Sequence, residues 1–165
     1  MPRSFQIVEE KLREAEFFLD SFNETRYLEY RAKFYFSAFV SASRSVTLAM
    51  QASLGGLAEF DDWYAEKRSV LKIDELAPLF VEIRNTVVHV GTNPIDVVPV
   101  DHLRDFLLSS FSGNTPEHVL ILPNVGDEEG VVLVDASATC HRYFRSLVQI
   151  VFECYENFKF LVDGQ

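Results

Sequence analysis

YLEYRAKFYFSAFVSASRSVTLAMQASL, residues 27–54, contains neither glycine nor proline and repeats its apolar residues at helical spacing. Tyr27, Tyr30, Phe34 and Ala38 supply one apolar face and Tyr35, Ala42 and Val46 another. The stretch predicts a single helix of roughly eight turns, opened by Glu24 or Thr25 and stopped by Gly55-Gly56, where the glycines end the helical run. Ser37, Ser41, Arg44 and Ser45 recur on it at spacings of three and four. Such a strip is either a tight helix contact with an exposed arginine or a polar strip facing a site.

Working outward, the segments on both sides are helical too. Phe5, Val8, Leu12, Ala15, Leu19 and Phe22 form a stripe behind Ser4, a plausible N-cap. Leu57 to Val70 predicts a shorter helix with Phe60, Trp63 and Tyr64 on its apolar side and Lys67-Arg68 near its end, where cations suit the helix dipole. A fourth helix runs to Val90, beginning either near Asp74, with a tightening at Pro78, or at Pro78 itself, and ending at Gly91. A last helix, capped by Asp135 or Ser137, carries Phe144, Leu147, Val148, Val151, Tyr155 and Phe158 at helical spacing until Gly164.

Between the last two helices the pattern changes. NPIDVVPV reads as an extended connector because proline biases the preceding residue away from the helical region. Asp101 can cap a short helix through Phe111, and HVLILP and VVLVDA are β-prone runs around NVGDEEG, a hairpin signal. The expected fold is mainly α: one domain over residues 1–165, a four- to five-helix up-and-down bundle with a small β-hairpin inside an insertion at 92–135.

Composition agrees. The chain has 165 residues, 48% hydrophobic and 13% aromatic, enough apolar surface for one core. No run reaches the ~18 apolar residues of a membrane span and the N-terminus lacks a signal-peptide pattern, so a cytoplasmic place and no membrane partner are expected. Cys140 and Cys154 are fourteen residues apart in one helical pattern. At ~1.5 Å per residue that is about 21 Å, beyond a disulfide, and the spacing is not that of zinc ligands. No metal or cofactor is expected. The acidic clusters Asp61-Asp62 and Asp127-Glu128-Glu129 read as solvated turns. Net charge is −10, which opposes general attraction to phosphate backbones, so any nucleic-acid role must be local.

Against this background EIRNTVVHVG, Glu82 to Gly91, breaks a helical stripe with Arg84, Asn85 and His89. Leu76, Leu79, Phe80, Ile83, Val87 and Val90 fall within roughly 40° of one direction around the helix. From that stripe Arg84 lies at about 80°, Val88 near 120°, Val81 near 140°, Asn85 near 180° and His89 near 220°. This second face mixes valines with polar groups, which suits a surface meeting another subunit around a polar site. Ordinary exposed polar residues near a helix end are the simpler alternative.

RNTVVH, Arg84 to His89, resembles the R-x4-6-H signature of HEPN domains, with the polar residue that commonly follows the arginine there. The resemblance extends to the long second helix with its FSAFVSASRSVT and covers about Phe5 to Gly91 plus the final helix. It implies a helical bundle that dimerises with the motif helices near the two-fold axis and, in many members, metal-independent RNA cleavage of the toxin or defence type. In that role neutral His89 takes the proton of a ribose 2′-hydroxyl as general base, Arg84 stabilises charge on the phosphoryl oxygens, and Asn85 orients one or the other. Residues five apart on a helix point about 140° from each other, so the pair converges only when a second copy supplies the missing partner.

The same resemblance includes members that keep the fold without the activity. They imply a dimeric interaction module for a protein partner, such as an antitoxin or nucleotidyltransferase, or for a nucleotide, and the acidic charge favours that alternative. Arg44, Lys67, Arg68, Arg84 and Arg104 are the residues from which a local phosphate-binding patch can be assembled. His102, His118 and His141 lie near predicted caps or strand starts, without a paired nucleophile or ligand spacing.

Overall fold

The computed structural model describes residues 4–25, 29–73, 76–85, 95–96, 119–123 and 131–162. They form α1 (Gln6–Glu24), α2 (Glu29–Leu54), α3 (Ala58–Ile73), α4 (Leu76–Asn85), β1 (Ile95–Asp96), β2 (Val119–Pro123), β3 (Val131–Asp135) and α5 (Ala136–Val162). The described chain is mainly α. The short helix expected after Asp101 and the Asp127-Glu128-Glu129 cluster lie outside the described residues.

α1 buries the stripe that its spacing demands: Phe5, Val8, Ala15, Leu19 and Phe22 are inside, with Leu12 packed against them. Ser4 acts at its start, its Oγ accepting from the Gln6 N–H at 3.2 Å, although Phe5 occupies the cap position itself. Glu24 closes α1 instead of opening α2, and Thr25 caps the end, its hydroxyl donating to the Phe22 carbonyl at 2.7 Å. Local hydrogen bonding at Thr25 therefore ends one helix where periodicity placed the start of the next.

α2 stops as expected. The Gly55 N–H bonds the Gln51 carbonyl at 2.8 Å, and a Cβ on Gly55 would lie 2.4 Å from that oxygen. Gly56 has φ +83°, which a side chain would disfavour. Its buried faces differ from the expected ones. Ala32, Phe36, Phe39, Val40, Val46, Met50 and Leu54 are inside with Ala42, while Phe34 is 67% exposed and Tyr35 is only half-buried. The reason is tertiary: α1, α4 and α5 all pack against α2, so position around the axis alone does not rank its many apolar residues.

Ring contacts fix the packing. Phe22 meets Phe36 at 5.8 Å across α1 and α2, and Phe5 meets Tyr155 at 5.4 Å across α1 and α5. At the other end of α1, the Asn23 amide lies 2.7 Å from His141 Nε2 and accepts from the Ser137 hydroxyl at 2.7 Å. These two ends make α1 and α5 antiparallel. Ser137 therefore sits within the first turn of α5 and serves α1, rather than capping its own helix. Phe158 takes Phe60 and Trp63 of α3 at 5.7 and 5.6 Å. Val148, expected on the core stripe, is 40% exposed because the packed face of α5 centres on Leu147, Ile150, Val151 and Cys154.

The strands extend the sequence reading. β1 falls in the expected connector and pairs antiparallel with β2, Ile95 opposite Leu120. β2 pairs antiparallel with β3, from Val119 opposite Asp135 to Pro123 opposite Val131. Proline at the end of β2 is tolerated because it lacks only the donor of a terminal position. β3 runs directly into α5, leaving Asp135 immediately before the first helical turn.

Cys140 and Cys154 are both free and buried, and burial pushes the Cys154 thiol up to about 12. Among the described residues, no helix is long and apolar enough to cross a membrane.

Candidate functional site

Arg84 is positioned by its neighbours on α4. Phe80, one turn earlier, is 2% exposed and wedged between two helices: its ring meets Phe39 of α2 edge-on at 6.1 Å and stacks on Tyr143 of α5 at 4.0 Å. Ile83 is buried as well. With that stripe docked inward, Arg84 emerges half-buried at the flank, while Val81 and Asn85 face outward, Val81 at 47% exposure. Pro78 lies in the first turn of α4, where no intrahelical donor is missing, so the helix begins before it.

At that flank α2, α4 and α5 enclose a cleft of about 250 Å³ lined by Val40, Arg44, Phe80, Val81, Arg84, Asn85 and Tyr143. Two arginines, an asparagine and a tyrosine share it, and among the described residues no carboxylate lines it. Arg44 comes from the polar strip of α2. Its Nη1 donates to Thr47 Oγ1 at 3.1 Å, and that hydroxyl donates back to the Arg44 carbonyl at 3.1 Å. Thr47, 8% exposed, thus holds the guanidinium while four of its five N–H donors stay uncommitted to it. Arg84 Nη1 reaches Asn85 Oδ1 only at 3.4 Å. Among the described residues neither arginine forms a salt bridge.

Tyr143 completes the wall. Burial pushes its hydroxyl up from an ordinary 10.0 to about 12, against the nearby Arg44 guanidinium, which pulls it down, and with Tyr64 adding to the rise. It therefore stays protonated throughout the neutral range and is a donor to any anion beside it.

The other expected patch residues are elsewhere or outside the description. Lys67 pairs with Glu153 of α5 and lies over the Trp63 ring at 5.9 Å, so it is engaged in the α3–α5 contact. Arg68 is exposed on α3. His141 bonds Asn23. His89, His102, His118 and Arg104 lie outside the described residues. The structure thus joins Arg44, Arg84 and Asn85. Tyr143 was missed by sequence reasoning; the available signal was a hydroxyl-bearing aromatic at the same helical angle as Leu147 and Ile150, where phenylalanine would serve a core.

The Lys67–Glu153 pair has its own signature. Hydrogen bonds from Lys67 and then Gln149 hold the Glu153 carboxyl below its ordinary 4.5. A depressed carboxylate contributes stability that is present above its unfolded pKa and lost as pH falls through the folded one. The stability difference between wild type and Lys67→Ala, at most about 1 kcal/mol for a pair this exposed, should accordingly shrink as pH drops below 4.5. Urea melts across that range check it, and a difference independent of pH would contradict the assignment.

Compared with known proteins, the chain matches no protein-family model, no curated protein and no solved structure.

Proposed function

We propose that the chain is a HEPN-type, metal-independent endoribonuclease of the toxin or defence kind, with Arg84 and His89 as its working pair. One observation carries the reading: Arg84, the first residue of RNTVVH, lines one cleft with Arg44, without a carboxylate among the described residues, on a protein of net charge −10. An acidic chain that keeps two guanidiniums together, neither in a salt bridge among the described residues, has a local anion site, which is what an RNA enzyme needs where its overall field repels RNA.

In this mechanism His89 accepts the 2′-hydroxyl proton as the 2′-oxygen attacks the adjacent phosphorus. The 5′-oxygen leaves and takes a proton from water, giving a 2′,3′-cyclic phosphate. Arg84 stabilises the charge that builds on the phosphoryl oxygens, and its planar donor fork suits this better than lysine. The test is incubation of purified protein with single-stranded RNA in EDTA and identification of the new ends. Cyclic phosphates support the reading; intact RNA across varied sequences defeats it.

The dimer is part of the proposal, since Val81 and Asn85, exposed on α4, are two of the residues that the helical spacing of the sequence groups with Val88 and His89 on a second face. The expected species at micromolar concentration is a homodimer, and Val81→Asp, which places a charge on that face, should shift it to monomer in sedimentation velocity. A wild-type monomer, or a dimer indifferent to Val81→Asp, counts against it.

A second reading, an inactive dimeric module for a protein partner such as an antitoxin or nucleotidyltransferase or for a nucleotide, draws on different observations. Phe152 and Phe160 of α5 are 63% and 68% exposed on a chain of net charge −10, a combination suited to a basic, apolar protein partner.

A further inference from the structure

We propose that the cleft between α2, α4 and α5 is a phosphate-binding site in which Arg44 and Tyr143, from helices outside the RNTVVH motif, grip the same phosphate as Arg84. The inference rests on reading Arg84 as a phosphate ligand and adds two binding residues to it. Three observations support it. Arg44 and Arg84 line one space, and among the described residues no carboxylate lines it with them. Thr47 fixes Arg44 through a reciprocal pair of hydrogen bonds, so its donors are held in place before any ligand arrives. The Tyr143 ring is clamped against Phe80 at 4.0 Å with planes 7° apart, while its hydroxyl forms no hydrogen bond among the described residues.

The chemistry selects the ligand. The lining draws donor-bearing residues from three helices, Arg44 of α2, Arg84 and Asn85 of α4 and Tyr143 of α5. That suits a tetrahedral anion with several oxygens better than a planar carboxylate, which one arginine fork satisfies alone. The cleft holds about 250 Å³, which leaves room for a phosphate group. Two sources share that chemistry, the phosphodiester of an RNA strand and the terminal phosphate of a mononucleotide.

Binding is measured by fluorescence anisotropy with a labelled 2′-O-methyl oligoribonucleotide, which lacks the attacking hydroxyl and so separates binding from cleavage. Inorganic phosphate and a nucleoside 5′-monophosphate serve as competitors. Arg44→Ala should weaken oligonucleotide binding ~10- to 100-fold, the scale of a charged hydrogen bond, and lower the salt slope of log K by about 0.7 for the lost phosphate contact. Tyr143→Phe keeps the stack and removes only the hydroxyl; it should weaken binding several-fold and leave the salt slope unchanged. Arg44→Lys should fall between, and Lys67→Ala should match wild type. Thermal melts establish that each variant is folded.

The outcomes separate cleanly. If Arg84→Ala loses binding while Arg44→Ala and Tyr143→Phe do not, the inference fails and the reading of Arg84 stands. If Arg44→Ala and Tyr143→Phe lose binding but no RNA is cleaved, the inference stands and the ribonuclease reading fails. If no oligonucleotide binds but titration calorimetry shows the nucleoside 5′-monophosphate binding to wild type and more weakly to Arg44→Ala, the site stands with a mononucleotide as its ligand. No binding of any probe by the wild type overturns the inference.

Discussion

Arg84→Ala and His89→Ala should each reduce single-stranded RNA cleavage at least ~100-fold, the usual scale for losing a charge-stabilising donor or a general base. Neither change should unfold the protein. Arg84 is half-buried, forms no salt bridge among the described residues and reaches only Asn85 at 3.4 Å, so its removal leaves no buried partner stranded. Asn85, exposed at the rim, should give a milder loss when changed to alanine. In the proposed mechanism the base is a neutral imidazole, so wild-type activity should fall toward acid pH. Initial rates with end-labelled RNA in EDTA measure all of this. Cleavage that survives both alanine changes belongs to a contaminating nuclease and removes the mechanism.

Phe80→Ala should be the most damaging change to stability on α4, costing about 3–5 kcal/mol through lost burial and the cavity left behind. The ring is 2% exposed and joins three helices by its contacts with Phe39 and Tyr143. Aromatic pairs of this kind add about 0.5–1.5 kcal/mol beyond burial. The exposed Val81, one residue along, should cost within ~0.5 kcal/mol when changed to alanine, so the pair is an internal comparison. Guanidinium melts with matched m-values measure it. A Phe80→Ala cost near that of Val81→Ala would mean that α4 is not docked between α2 and α5, and the cleft would lose its wall.

Both results bear on how much was readable without coordinates. The α1 stripe from Phe5 to Phe22 was legible because its residues share one face of the helix, and the period of the sequence states which residues those are. The stop at Gly55-Gly56 was legible because backbone conformation is a local property. The faces of α2 were not. Phe34 and Phe36 are equally hydrophobic, and only the approach of α1, α4 and α5 makes one surface and the other core. Of the two caps that the sequence offers, Asp135 stands immediately before α5, whereas Ser137 lies inside the first turn and gives its hydroxyl to Asn23 from the far end of the chain, a partner no local rule supplies.

The sequence by itself determined that this protein is built mainly from helices, where α1 and α5 bury their apolar stripes, and that Arg84, Asn85 and His89 interrupt a core pattern. These follow from periodicity and residue chemistry, which act over a few residues. The tertiary structure alone decided that Arg44 of α2 and Tyr143 of α5 stand with Arg84 around one cleft, while Lys67, equally basic, is spent on Glu153. No local rule couples positions so distant in the chain. Phe80 does so physically, because burying one ring between Phe39 and Tyr143 draws three helices together and leaves their polar flanks facing the same space.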